Sequence, residues 1–332
     1  MKQEMLSPVI PASARPCPSC EGHAWSGMKT VSRKLGLDGN PLRLVTCDDC
    51  GTVYQPIAVT SETLTRHYEY MGHADENTVL TPLLERRLRR NLGMLSKASL
   101  PTSYRRRAVL DVGCGGGLFL RVAERLGWEP FATEISPSCV AILEPWLGAH
   151  LHCGELPDAP FESGSFDLIV MAEVIEHLPQ PSAYLRAAHR LLAPGGTLFL
   201  TTPNYDGLSH RLWGNGWRVV ADEHLNYFDR KSVRRILEST GFPLPEVRTT
   251  NFDLSMLGPL RTLVRRKPRS SMRASIRLPG EAQAERQDLH ALVVDQGMEL
   301  LNRLLNRLRI GDNLKIIAHK DDGARSNGVS SA

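Results

Sequence analysis

At 332 residues the chain is long enough for one α/β domain of ordinary size and a smaller appendage. Its formal net charge of +4 is mild, and the arginine runs at 86–90, 105–107 and 265–269 are typical of solvated helix faces, which disfavours a nucleic-acid partner. No apolar stretch approaches the roughly 20 residues of a membrane-spanning helix. Residues 1–14 lack the apolar core of a secretory signal. We therefore expect a cytoplasmic protein without a membrane span.

Four of the seven cysteines form two C-x-x-C pairs, Cys17 with Cys20 and Cys47 with Cys50. Each pair offers two thiolates to a tetrahedral Zn²⁺, and the turn signal Asp38–Pro41 between them predicts a hairpin. A redox pair and unligated thiols are the alternatives, but two pairs without a secretory signal favour zinc. A segment this small has little core, so metal binding would supply folding free energy. We predict a zinc-ribbon-like module over residues 1–60.

Residues 61–104 show a helical pattern. Ser61 and Thr63 are candidate caps, and apolar side chains recur at helical spacing. We interpret this segment as a helical leader to the following domain. Two roles stay open for Tyr68 and Tyr70: packing between leader and domain, or a lid over a ligand cleft.

From residue 108 onward, apolar strands alternate with helical segments, which is the pattern of a parallel, doubly wound sheet. We predict a Rossmann-like α/β fold with a seven-stranded, mostly parallel sheet. The predicted helices span 117–126, 137–145, 181–192 and 229–240. The predicted strands span 108–113, 130–135, 149–153, 166–172, 196–202, 246–252 and 313–319.

The sixth and seventh predicted strands are separated by a long excursion at about 256–310. It begins with a basic linker and continues as a helix with leucines on one face. We predict a helical insert that packs on the domain, with a dimer seam as the alternative. The domain itself would span 105–322, and the polar tail 323–332 is expected to be disordered.

The segment Val109–Gly117 predicts a strand, a tight turn and the start of a helix. Glycine is needed there because the backbone must turn sharply and admit a ligand without a Cβ in the way. The spacing is G-x-G-x-G after an acid, and Leu118 stands where a dinucleotide fingerprint has its third glycine. The segment resembles the first motif of class I S-adenosylmethionine-dependent methyltransferases. The stretch Cys50–Pro56 followed by His67–Tyr70 resembles the zinc-ribbon leader of some bacterial members.

The resemblance implies how the cofactor would be held. Asp111 ends the first strand, where it would orient the glycine loop and the charged amino-acid end of S-adenosylmethionine. Glu134 ends the second strand, where its carboxylate would accept the ribose hydroxyls. Asp158 competes with Glu155 and Leu156 for the place beside the adenine. The cofactor-binding residues predicted in this way are Asp111, Gly113, Gly115, Gly117, Glu134, Glu155, Leu156 and Met171.

One candidate for the acceptor side is Glu173-Val174-Ile175-Glu176-His177, at the carboxyl end of the fourth strand. In ubiquinone-biosynthesis O-methyltransferases an E-x-x-E-H stretch of this form is linked to a divalent metal that helps to position a catechol. Glu173, Glu176 and His177 could therefore hold a catalytic cation. We favour the alternative, in which the stretch caps the turn before the next helix.

A second candidate is Asp222–Phe228, which resembles a family stretch over the acceptor pocket. An unperturbed histidine titrates near pH 6.5, so His224 could take a proton from a hydroxyl. The equally weighted alternative is a histidine that fixes the loop through the backbone. The catalytic residues predicted from the two stretches are Glu173, Glu176, His177 and His224.

These features together predict a class I methyltransferase that transfers a methyl group in line to a small-molecule or glycan-like acceptor, most simply at oxygen. S-adenosylmethionine already carries an electrophilic methyl, so the protein must mainly align a nucleophile and exclude water. An RNA methyltransferase that uses the zinc module to bind its substrate is one alternative. A non-catalytic scaffold that keeps the fold is another, and the intact glycine loop with Glu134 argues against it.

Overall fold

The computed structural model describes residues 14–60, 62–64, 66–67, 85–86, 88–89, 92, 107–252 and 296–321. Several predictions fall outside these residues. They concern the lid role of Tyr68 and Tyr70, the first part of the helical insert at 256–295, and the tail at 323–332.

The N-terminal module is built on an antiparallel sheet with the strand order β1-β2-β3-β9. β1 (Trp25–Leu35) and β2 (Pro41–Cys47) form the predicted hairpin, and β3 (Val53–Tyr54) adds to β2. The fourth strand comes from much later in the chain, because β9 (Asn226–Tyr227) pairs with β3. The module is thus joined to the larger domain by a shared sheet, which the sequence pattern did not predict.

The larger domain contains the predicted seven-stranded sheet, and its strand order is β10-β11-β8-β7-β4-β5-β6. β4 to β8 pair in parallel, whereas β11 pairs antiparallel with both β8 and β10. Parallel strands are buried on both faces, so they are nearly continuous apolar runs. The strands are β4 (Arg107–Val112), β5 (Trp128–Glu134), β6 (Leu151–Cys153), β7 (Phe166–Ala172), β8 (Leu192–Pro203), β10 (Glu246–Thr250) and β11 (Asn313–His319).

Helices cover both faces of this sheet, and the sheet separates the apolar core of the domain into two clusters. Successive residues of a strand point to opposite faces, so Leu110 joins one apolar cluster and Val109 joins the other. The first cluster includes side chains of α3 (Pro181–Leu191) and α5 (Arg230–Ser239), and the second includes side chains of α1 (Leu118–Arg125) and α2 (Pro137–Leu147). These four helices match the predicted ranges. A short helix that was not predicted, α4 (Leu208–Trp213), follows β8.

Residues 296–308 form the described part of the helical insert, α6. Leu305 is buried, and its carbonyl accepts a hydrogen bond from the Thr249 hydroxyl. Asn302 and Asn306 accept from backbone N–H groups of Asn251 and Thr249. Of the other described leucines on the predicted apolar face, Leu301 is half-buried, and Leu300, Leu304 and Leu308 are exposed. In the part of the chain that the structure describes, no helix has the length and apolarity to cross a bilayer.

Candidate active site

The loop after β4 lies at the carboxyl edge of the parallel sheet, where ligands bind in open α/β folds. Gly113 and Gly115 adopt φ of +65° and +53°, which favour glycine. The N–H of Gly113 donates to the Thr133 carbonyl on neighbouring β5, so the loop is tied to the adjacent strand end. A Cβ on Gly113 would lie 3.0 Å from Val174 Cγ2. Both glycines line a cavity, as expected for a loop that admits a ligand.

The third glycine of the motif has a different environment. Gly117 is the N-cap of α1 with φ of 74° and ψ of 18°. A Cβ there would lie 2.6 Å from Leu143 Cδ2 and 3.1 Å from Trp146 Cζ3 on α2. Gly117 is not among the described residues that line the cavity. Its position indicates a role in packing α1 against α2, beneath the loop.

Glu134 ends β5 and is nearly buried. One carboxylate oxygen accepts from the Gly115 N–H at 2.8 Å, and the other accepts from the N–H groups of Ile135 and Ser136 at 2.8 Å each. A carboxylate has about four lone-pair sites, so three of them are already used by the backbone. The side chain lines the cavity and also fixes the glycine loop.

Asp111 lies below the loop on β4 and is also buried. Burial, together with the neighbouring charge of Glu134, raises the pKa of Asp111 to about 8. Two carboxyl groups in one dry region repel each other when both are ionised, and a cation placed between them relieves that repulsion. Asp111 is not among the described residues that line the cavity, so it lies behind the cavity wall, where a positively charged ligand group near the glycine loop would favour its ionised form.

The cavity has a volume of about 360 Å³ and runs from the glycine loop to the loop before β9. Among the described residues that line it are four glutamates and no lysine or arginine, so the lining is acidic. Leu64 of the leader also contributes. The lining residues are Leu64, Val112, Gly113, Gly115, Thr133, Glu134, Ile135, Ser136, Cys139, Gly154, Glu155, Glu173, Val174, His177, Leu178, Tyr184, Glu223 and His224.

Three of the residues predicted near the cofactor lie on the third and fourth strand ends. Glu155 lines the cavity. The side chains of Leu156 and Met171 are fully buried in the first apolar cluster and are not among the lining residues. Their placement suits a supporting role in the core behind the cavity wall.

Glu173 and Glu176 form a tightly coupled pair after β7. Glu173 accepts hydrogen bonds from the Thr201 hydroxyl at 2.8 Å and the Asn313 amide at 3.1 Å, whereas Glu176 accepts from the Thr202 hydroxyl at 3.0 Å. Burial, followed by the charge of Glu173, raises the pKa of Glu176 well above its usual range. The ionised form of Glu176 is therefore disfavoured where it lies.

The two predicted histidines meet at the far end of the cavity. The rings of His177 and His224 pack edge to face with centroids 4.6 Å apart, and His177 Nδ1 lies 3.0 Å from the Glu223 carbonyl oxygen. His224 Nδ1 is buried without a hydrogen-bond partner in the described structure. Burial lowers the pKa of His224 to about 4. The expectation that this histidine titrates near neutrality does not fit its buried position.

The predicted cation ligands are only partly brought together. Ligand atoms of Glu176, His177 and His224 lie within 4.8 Å of one another, so this set, rather than the predicted set with Glu173, could hold a metal ion. One carboxylate and two imidazoles are suitable ligands for a divalent transition metal.

Glu223 was not predicted as a functional residue. It lines the cavity, as the two histidines do, and burial, with a hydrogen bond to Asp222, raises its pKa to about 7. Together with His67 of the leader, Asp222 and Glu223 form a second group of ligand atoms within 4.8 Å. The adjacency of Glu223 to His224 in the chain was the signal available, and it was too weak to separate a lining residue from a surface acid.

All four cysteines of the N-terminal module converge. Their sulfur atoms lie within 4.8 Å of one another, with Cys17 Sγ 3.4 Å from Cys50 Sγ and Cys20 Sγ 3.5 Å from Cys47 Sγ. Zinc–thiolate bonds of about 2.3 Å in a tetrahedron require sulfurs at this kind of separation. Burial raises the pKa of Cys17 and Cys20, so a cation would be needed to keep these thiols ionised. The donor set fits Zn²⁺.

Residues 83–247 match the sequence profile of a family described as a methyltransferase domain. The match covers the glycine loop, Glu134 and both acceptor-side stretches. It also includes the five parallel strands of the sheet described above. This chain carries a class I S-adenosylmethionine-dependent methyltransferase domain. The N-terminal module, most of β10 and all of β11 lie outside the match.

Relatives of the methyltransferase domain are found among ubiquinone biosynthesis O-methyltransferases. Those of Xanthomonas oryzae pv. oryzae and Xanthomonas campestris pv. campestris are each 42% identical over 102 residues, which is 29% of this chain and 43% of the relative. The chain thus spans less than half the length of these curated relatives. A solved S-adenosylmethionine-dependent methyltransferase from Archaeoglobus fulgidus is 19% identical with a TM-score of 0.48, over 76% of this chain and 99% of the other.

Proposed function

We propose that the protein transfers the methyl group of S-adenosylmethionine directly to a hydroxyl oxygen of a small-molecule or saccharide-type acceptor. The observation that carries this proposal is that one cavity has the glycine loop and Glu134 at one end and His177, Glu223 and His224 at the other. A methyl donor at the first end would face a nucleophile held at the second.

At the cofactor end the chain would bind by charge and shape. Asp111 would favour the positively charged amino-acid end, Glu134 would accept a hydrogen bond from a ribose hydroxyl at its remaining lone-pair site, and the glycine loop would admit the amino-acid end without a Cβ in the way. Bound S-adenosylmethionine supplies an electrophilic methyl, so the remaining task is alignment of the acceptor. Glu155 lines the cavity and would contact the adenine of the cofactor.

At the acceptor end Glu223 is the best-placed general base. A base with a pKa of about 7 is half ionised at neutral pH and can still accept a proton from a hydroxyl. His224 stays neutral above about pH 5, so its role would be to orient the acceptor by hydrogen bonding. His177 supports the loop through the Glu223 carbonyl.

The charge of the cavity favours a neutral acceptor. Four glutamates and no lysine or arginine lie among the described lining residues, which disfavours a phosphate-rich substrate such as RNA. The similarity to ubiquinone biosynthesis O-methyltransferases over 102 residues favours oxygen as the methylated atom. A hydroxyl of a small molecule or saccharide satisfies both.

We further propose that Cys17, Cys20, Cys47 and Cys50 hold a structural Zn²⁺ within a module of residues 1–60, and that residues 105–322 form a cytoplasmic methyltransferase domain. Elemental analysis should find about one zinc per chain. Chelation should lower the melting temperature because the metal stabilises only the folded module. A zinc content below about half an ion per chain would contradict the assignment.

The activity is tested with methyl-labelled S-adenosylmethionine and separate panels of catechols, hydroxylated sugars and structured RNA. We expect label in a small-molecule product that is heavier by one methylene equivalent. The exposed-site variant Glu144→Gln should behave like the wild type, whereas Glu134→Ala should lose labelling. Labelling of RNA alone, or no binding of S-adenosylmethionine in calorimetry, would refute the proposal.

A further inference from the structure

Gln55, one residue beyond β3 of the N-terminal module, has a fully buried side chain. Its amide Nε2 lies 2.8 Å from the His224 carbonyl oxygen, 2.9 Å from that of Asp222 and 3.2 Å from that of Ala221. Its backbone N–H donates to the Leu225 carbonyl at 2.9 Å. One residue of the module thus binds four backbone carbonyls of a single loop.

This loop, residues 221–225, has no regular secondary structure. Its carbonyls are therefore not bound within a helix or a sheet ladder, and buried carbonyls need partners elsewhere. The same loop places the side chains of Glu223 and His224 in the cavity wall. The position of these two side chains depends on the groups that hold the loop backbone.

Arg15, another residue of the N-terminal module, also binds this region. It is nearly buried, and its guanidinium donates to the carbonyls of Gln55 and Pro179 at 2.7 and 3.0 Å and to Asn226 Oδ1 at 2.7 Å. It also donates to the Leu225 carbonyl at 2.5 Å.

The Asn226 amide in turn donates to the carbonyls of Ile175 and Leu178, on either side of His177. Both acceptor-side turns are therefore tied to the N-terminal module.

We propose that Gln55 is a positioning residue that aligns Glu223 and His224 with the methyl acceptor. The N-terminal module would then act as a fixed part of the acceptor wall rather than as a separate substrate-recruiting unit. This inference rests on the proposed function, because it assigns the loop to acceptor alignment. The hydrogen-bond pattern that supports it is independent of the acceptor's identity.

The size of the effect follows from the need for alignment. A displacement of about 1 Å in a reacting group can reduce turnover by about 100-fold. Gln55→Met keeps the length of the side chain and removes both donors, so the loop should open more often. We expect amide hydrogen exchange within 221–225 to accelerate at least about tenfold, and kcat to fall by about ten- to a hundredfold.

The matched control is Glu21→Gln. Glu21 also joins the N-terminal module to the methyltransferase domain, through an exposed ion pair with Arg186 at 2.9 Å and a hydrogen bond from Ser182, but it does not contact the loop. Its replacement should leave exchange at 221–225 and kcat unchanged. A general weakening of the attachment would instead affect both variants.

A third variant separates hydrogen bonding from simple filling of space. Gln55→Glu is the closer isostere, but its carboxyl group offers at most one donor, and only when it is protonated, to the three carbonyl oxygens that the Gln55 amide binds. If Gln55 acts through its donors, exchange in the loop should be faster than in the wild type in both Gln55→Met and Gln55→Glu. If it only fills space, exchange in Gln55→Glu should match the wild type.

The experiment compares hydrogen exchange of the loop, melting temperature, affinity for S-adenosylmethionine and, with the acceptor found by the labelling screen, kcat and KM. We expect the cofactor affinity of Gln55→Met to stay within about twofold of the wild type while kcat falls. Should Gln55→Met not fold, Gln55→Asn keeps the amide but withdraws it by one methylene. Wild-type exchange in the loop, or wild-type kcat, in a folded variant would overturn the inference.

The two proposals fail in different ways. If the wild-type protein does not bind S-adenosylmethionine, the proposed function is wrong, although the exchange data still test whether Gln55 holds the loop. If the wild type binds and transfers methyl but the Gln55 variants match it, only the positioning role is wrong.

Discussion

Gly117 allows a direct measurement of what the third motif glycine does. Replacement by Ala forces a side chain into φ of 74°, which costs about 1–2 kcal/mol for an L-residue. The new Cβ would also lie 2.6 Å from Leu143 Cδ2, and Leu143 is fully buried, so the core must shift. Overpacking of this kind costs about 1–3 kcal/mol. Gly117→Ala should therefore lower the free energy of unfolding by about 2–5 kcal/mol.

The matched control is Gly127→Ala, just beyond the other end of α1. Gly127 has a similar φ of +84°, but a Cβ there meets nothing within 4 Å. Gly127→Ala should therefore lower the free energy of unfolding only by the cost of a left-handed backbone conformation, about 1–2 kcal/mol. The difference between the two variants thus isolates the contact with α2, at about 1–3 kcal/mol.

Urea unfolding of both variants, with stability extrapolated to water, gives this difference. Equal losses in the two variants would refute the assignment of Gly117 to helix packing. Calorimetry with S-adenosylmethionine on the folded variants adds a second readout. If Gly117→Ala loses much of its affinity for S-adenosylmethionine without losing stability, Gly117 contributes to cofactor binding rather than to helix packing.

Two further predictions concern the cavity. Glu134→Gln should weaken S-adenosylmethionine binding by about ten- to a hundredfold, because hydrogen bonds to a charged group contribute about 1.5–3 kcal/mol. Calorimetry measures this loss of affinity, with Glu144→Gln on the exposed face of α2 as the control. The second concerns His224, whose pKa of about 4 lies below its unfolded value of about 6.5, so the unfolded state binds more protons between these values. The wild type should therefore lose stability relative to His224→Gln as pH falls from about 6.5 to 4, by up to about 3 kcal/mol.

Each of these has an outcome that contradicts it. Unchanged affinity in Glu134→Gln would mean that this carboxylate serves only to hold the glycine loop. For His224, the comparison with the exposed-site variant His23→Gln matters, since other groups also titrate in this window. If both histidine variants show the same pH dependence as the wild type, the imidazole is not held in its neutral form.

Several features followed from local sequence. The seven strands and four main helices were predicted because apolar periodicity, proline at helix starts and glycine after them act over a few neighbouring residues. The capping box of Asp229 and Ser232 at the start of α5 is an example. A C-x-x-C turn places its own two sulfurs together, but the four-thiol cluster also requires the two pairs to meet across the chain, as Cys17 with Cys50 and Cys20 with Cys47 do.

Local sequence did not determine how far a side chain is buried, because the same residue pattern occurs in buried and in exposed positions. The described part of the leucine face of α6 packs only in part, because Leu305 is buried and Leu301 is half-buried whereas Leu300, Leu304 and Leu308 are exposed. Two asparagines of the same helix supply further contacts, which apolar spacing did not indicate. The pKa of His224 could not be judged from its neighbours in the chain, because desolvation depends on what the fold places around the ring.

The sequence alone determined the strands and helices of the α/β domain, the glycine loop, the carboxylate at the end of β5 and the two C-x-x-C turns, because each is encoded by residues close together in the chain. Only the tertiary structure decided the acceptor wall. The contacts of Gln55 with His224 and of Arg15 with Asn226 join residues 169 and 211 positions apart, and no local pattern marks either partner. Such pairs form because buried carbonyls and amides must find partners once the module and the sheet have come together.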